Sequence, residues 1–136
     1  MIIRRNVEED YCSYEISLLL KFRDFEVPCI RGFNESSKQE LNDSKAENLN
    51  SFRLYLSRPS HSVAIKWIYE NCRLNIETSL YILEDITAVY AFKSLIKGDE
   101  NYEIKILWEE DKFPTKEKAT EKALLYALQN LIPKSC

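Results

Sequence analysis

From residue 60 onward the apolar residues change period twice, and this constrains the chain more than any other feature. Ala64, Trp67, Ile68 and Cys72 recur at helical spacing, widened by Ile65 and Tyr69. The next three segments alternate with period two, the pattern of half-buried strands. Residues 74–83 put Ile76, Thr78, Leu80 and Ile82 on one face. Residues 88–97 put Tyr90, Phe92 and Ile96 opposite Val89, Ala91 and Leu95. Residues 102–109 set Tyr102, Ile104, Ile106 and Trp108 against Glu103, Lys105 and Glu109. The helical period returns over 115–132, with Ala119, Ala123, Ala127, Leu128 and Leu131 three or four residues apart. Each stripe needs another element to cover it. The reading is an α+β fold in the order α-β-β-β-α, a three-stranded antiparallel meander packed by two helices on one face.

Element ends carry their own signals. Ser60 after Pro59 and Thr115 after Pro114 are placed to cap the two helices, because a hydroxyl oxygen can accept from an otherwise unpaired backbone N–H. Pro133 stops the last helix. Gly98-Asp99-Glu100-Asn101 reads as a hairpin turn, and Glu84-Asp85 as a weaker one. Upstream, Ser13 caps a helix over 13–23, with Glu15 early, Lys21 and Arg23 late, and Ile16, Leu19, Leu20 and Arg23 along one face. Phe25–Phe33 and Phe52–Leu56 read as extended and are expected to add edge strands to the same sheet. Residues 34–50 hold no aromatic and no β-branched residue, so a mobile polar loop is expected there. The chain is read as a single domain, 1–136, with an N-terminal part over 1–58 and the α-β-β-β-α core over 59–136.

Composition narrows function by exclusion. Nineteen basic against 22 acidic residues give a formal charge of -3, so no bulk positive field draws the chain to nucleic acid or an anionic membrane. Two glycines and one histidine leave no material for a glycine-rich phosphate loop or a multi-histidine metal centre. No run approaches the roughly 20 apolar residues of a membrane span. The opening residues carry no secretory pattern, so a cytoplasmic protein is expected. Cys12, Cys29, Cys72 and Cys136 match no zinc or C-x-x-C spacing and read as reduced thiols. His61 would need a nucleophile or an orienting carboxylate to act as a base. The clusters Glu8-Glu9-Asp10, Glu84-Asp85 and Glu109-Glu110-Asp111 read as solvated turns. No catalytic residue, cofactor or metal site is expected, and no cleft where acids meet the imidazole. With eight tyrosines and two tryptophans, the expectation is a non-enzymatic interaction protein acting through a protein partner or as a homo-oligomer.

Two resemblances extend this reading. The α-β-β-β-α order over 60–132, with Thr115-Lys116-Glu117-Lys118-Ala119, resembles a double-stranded-RNA-binding domain. It implies phosphate contacts from Lys116 and Lys118, although Glu117 and Thr120 stand where further lysines belong; the alternative function, a nucleic-acid-binding module, requires Lys66, Lys116, Lys118 and Lys122 to form one basic stripe. Across nearly the whole chain, Ser13-Tyr14-Glu15-Ile16, Leu20-Lys21, Phe25 and Pro28-Cys29 resemble small uncharacterised proteins of prophages and mobile elements of gut Bacteroidetes. Pro59 with Ala64, Lys66, Trp67 and Ile68, and Ala119, Ala123, Leu128 and Leu131-Ile132, continue the likeness. Asp24 departs from it where a glycine is expected. This resemblance implies a phage-derived accessory role and no catalytic residue.

Overall fold

Ser13 Oγ accepts from the N–H of Ile16 at 3.3 Å and opens the first helix, α1 (Tyr14–Lys21). The computed structural model describes residues 10–82, 88–97, 102–107 and 115–132. After α1 come β1 (Cys29–Asn34), β2 (Glu40–Glu47), a 3-10 turn (Leu49–Ser51), β3 (Tyr55–Ser57), α2 (His61–Cys72), β4 (Leu74–Ile82), β5 (Ala88–Lys97), β6 (Tyr102–Leu107), α3 (Lys116–Tyr126) and a π turn (Ala127–Leu131). Ser60 and Thr115 cap α2 and α3 as their positions predict, accepting from Val63 and Lys118. The expected turns at 84–87 and 98–101 lie outside the described residues.

The α+β reading holds. β4, β5 and β6 form an antiparallel meander in that order, with Thr78 opposite Phe92 and Phe92 opposite Leu107. α3 lies over β4 and β5, α2 lies over β4, and the two helices touch, so both share one face. Ala119, Ala123 and Ala127 are fully buried. Their small side chains let α3 come close to the sheet.

The N-terminal part departs from expectation in two ways. Its extended segments do not join the meander; they make a second antiparallel sheet in the order β2-β1-β3. The segment 34–50, expected as a loop, contains β2 and the 3-10 turn. A ladder is made of backbone groups, so a polar strand can pair without burying its side chains, and those of β2 are mostly exposed. The hairpin into β2 is set by Asn34, whose side-chain oxygen accepts from the N–H groups of Ser36 and Ser37, both at 3.0 Å. Lys38 completes it with φ 61°.

One core joins both halves. Ile16 and Leu20 of α1, Phe25, Ala64, Trp67 and Ile68 of α2, Leu74 and Ile76 of β4, and Ala123, Leu124 and Leu128 pack together. Phe25 meets Trp67 edge to face, with centroids 5.4 Å apart. Asp24 ends α1 with φ 60°, the left-handed backbone that glycine adopts freely. At the far end, Ile132 N–H donates to Ala127 O, closing the wide turn. The Arg23 guanidinium donates to the carbonyls of Leu128 and Ile132, groups that the turn leaves open.

Cys12 and Cys29 are free and buried. Cys72, expected as a reduced thiol, is disulfide-bonded, and its partner lies outside the described residues. No spacing in the sequence signals that bond.

Candidate functional site

Two hollows flank Tyr11, which bridges to Ser60 in a short antiparallel contact. The larger, about 700 Å³, opens between the amino ends of α2 and α3 and is lined by Asp10, His61, Glu77, Lys116, Glu117 and Thr120, among others. The sequence reading expected no such cleft. The first turns of α2 and α3 bring His61, Lys116 and Glu117 beside Asp10 and the β4 residue Glu77, a convergence that sequence spacing does not display.

His61 is held by a partner that the sequence reading missed. Its Nε2 lies 2.6 Å from Glu121 Oε2, and the imidazole donates to the carboxylate. The other carboxylate oxygen accepts from the backbone N–H of Ser13 at 3.0 Å. Glu121 therefore ties α3 to the starts of α1 and α2. Burial raises the Glu121 carboxyl, but the bonds from His61 and Ser13 outweigh it and leave the group below its ordinary value of 4.5. Its only sequence signal is a place beside the buried stripe of Thr120, Ala123 and Leu124.

A histidine oriented by a carboxylate is half of a nucleophilic constellation. The other half is lacking among the described residues, where no serine, threonine or cysteine side chain bonds to His61. Ser60 Oγ caps α2 and meets Ser62 Oγ at 3.2 Å. Cys12 is wholly buried, which pushes its thiol well up. Also among the described residues, no group of three His, Cys, Asp or Glu side chains is placed to hold a metal ion.

Two of the four candidate nucleic-acid lysines stand beside acids. Lys66 pairs with Glu70 at 3.8 Å. Lys116 shares the cleft with Asp10, Glu77 and Glu117. Lys118 and Lys122 are exposed on α3.

The smaller hollow, about 500 Å³, lies between β1, β2 and the start of α2. Pro28, Ile30, Ala46 and Val63 give it an apolar lining beside Arg31 and Arg58. A separate apolar surface stands at the end of α1. Phe22 is 68% exposed and Leu54 58%, with Phe52 also exposed. Lys21 brings these residues to the same end of the molecule, because its ammonium donates to the carbonyls of Phe52, Arg53 and Tyr55 and to Glu35 at 3.0–3.3 Å.

No protein-family model matches the chain, and neither a curated protein nor a solved structure matches it significantly. No described helix is long and apolar enough to cross a membrane.

Proposed function

We propose that this chain is a small non-enzymatic interaction protein of phage or mobile-element origin. The observation that carries the reading is the exposure of Phe22, Phe52 and Leu54, on segments joined by the bonds from the Lys21 ammonium to the carbonyls of Phe52, Arg53 and Tyr55. Large apolar side chains left in water favour association, because covering them releases their hydration. The origin rests on the sequence resemblance alone. The incomplete constellation at His61 favours binding over catalysis. Nucleic-acid binding is the weaker alternative, since carboxylates accompany Lys66 and Lys116.

Light scattering of the purified chain, with pull-down from the native host, tests the reading. The expected result is self-association, or a retained partner, that is lost in the double variant Phe22→Ser, Leu54→Ser. A strict monomer that retains nothing, or retention indifferent to the variant, refutes it. A cytoplasmic setting belongs to the same proposal. It stands against the Cys72 disulfide, because such bonds are rare where thiols are kept reduced. Mass measurement of protein alkylated in host lysate decides between the two.

A further inference from the structure

The residues from Phe52 to Tyr55 form a tight turn whose main chain is held from within. Tyr55 N–H donates to Phe52 O at 3.3 Å, and Glu35 N–H donates to Leu54 O at 2.9 Å. The Lys21 ammonium donates to the carbonyls of Phe52, Arg53 and Tyr55. Four consecutive carbonyls are therefore bonded to the protein, while the side chains of Phe52, Arg53 and Leu54 are exposed. The Phe52 ring meets Tyr55 edge to face, with centroids 6.1 Å apart. Phe22, which follows Lys21 in the chain and ends α1, is exposed as well.

The charges at this end are not equally engaged. Lys21 pairs with Glu35 at 3.3 Å in addition to its three carbonyls. Arg53 pairs with no carboxylate among the described residues. Its backbone is anchored through its carbonyl, and its guanidinium is left to solvent between two apolar neighbours in the chain.

We infer that this turn and the end of α1 dock an acidic, apolar segment of a partner protein. Phe22, Phe52 and Leu54 take its apolar side chains, and the Arg53 guanidinium takes a carboxylate. The inference rests on the interaction reading and deepens it by naming the partner's chemistry. The main chain of the turn is ordered before any partner arrives, so docking does not have to order it. A guanidinium can give a carboxylate two parallel N–H bonds. A second copy of the chain is the poorer occupant, because two-fold pairing sets the same patch against itself and brings Arg53 toward Arg53. Single-stranded RNA is poorer too. Rings and an arginine suit bases, but one guanidinium on a chain of net charge -3 gives a phosphate backbone little to follow.

Fluorescence anisotropy with a labelled peptide of alternating leucine and glutamate provides the test, run beside its leucine–lysine counterpart and a labelled single-stranded RNA. The acidic peptide is expected to bind and the other two are not. Phe22→Ser is expected to weaken binding about tenfold, the loss of one covered ring. Arg53→Glu is expected to exchange the preference, so that the lysine peptide binds about tenfold better than the glutamate peptide, an outcome that no merely structural role for Arg53 produces. Both residues are exposed, so neither substitution touches the core. Absence of binding, preference for RNA, or a peptide preference that Arg53→Glu leaves unchanged overturns the inference. Light scattering on the same samples separates it from the broader reading. Self-association that is lost in Phe22→Ser, Leu54→Ser, in a protein that ignores the acidic peptide, overturns this inference and leaves the interaction reading standing.

Discussion

Replacing Glu121 with glutamine puts the three-helix tie to a quantitative test. The carboxylate gives one oxygen to His61 Nε2 at 2.6 Å and the other to Ser13 N–H at 3.0 Å. Glutamine has one acceptor oxygen and no charge, so it keeps at most one of these bonds, without charge assistance, and loses the other. A hydrogen bond to a charged group contributes about 1.5–3 kcal/mol. The Glu121 side chain is 31% exposed, which favours the lower part of that range. Urea unfolding followed by tryptophan fluorescence at pH 7 should therefore place Glu121→Gln about 1.5–2 kcal/mol below the parent. The pH dependence adds an independent arm. The folded carboxyl sits below its ordinary 4.5, so its stabilisation is complete above that value and is lost as pH falls through the folded value. The gap between parent and variant should narrow as pH falls below about 4.5. A variant as stable as the parent at pH 7, or a gap unchanged down to pH 3, refutes the assignment.

Other substitutions probe the frame. In Gly32→Ala the new Cβ would sit 2.5 Å from both Leu49 Cδ1 and Leu56 O. Because the latter is backbone, we expect a loss of about 2–3 kcal/mol in urea unfolding, and an unchanged midpoint would contradict the close approach of β1 to β3. Asp24→Gly relieves a left-handed residue and should be neutral or raise stability by up to about 1 kcal/mol; a marked loss would show that the Asp24 side chain has a role of its own. Arg23→Met strips donors from the carbonyls of Leu128 and Ile132 and should cost about 2–3 kcal/mol, so an unchanged melting temperature would mean that the π turn does not need this cap. Burial pushes the Cys29 thiol up to about 11 and that of Cys12 well above its ordinary value. Iodoacetamide at pH 8 with peptide mapping should therefore leave both unlabelled until urea is added, and rapid native labelling of either would count against the burial described.

The elements were legible where one local pattern decided them. Ser13, Ser60 and Thr115 cap the helices their positions predict, and residues 74–82, 88–97 and 102–107 are strands in the expected order. The stripe Ala64, Trp67 and Ile68 is buried as its spacing requires. What escaped was nonlocal. β2 pairs through its backbone, and Glu40, Asn42 and Ala46 lack the alternation that betrays a half-buried strand. The choice between one sheet and two is made by packing, which the alternation of Cys29–Phe33 does not encode. Glu121 looked like one more charge among lysines because its two donors, Ser13 and His61, stand 108 and 60 positions away.

Such distances bear on how the chain is made. Arg23 waits on Leu128 and Ile132, positions 105 and 109 further along, and Ser13 on Glu121. During vectorial synthesis α1 emerges long before the residues that complete its surroundings. Its apolar stripe, Ile16 and Leu20, stays uncovered by α3 until residues 116–126 have left the ribosome. In that interval chaperones and neighbouring nascent chains compete for the same stripe.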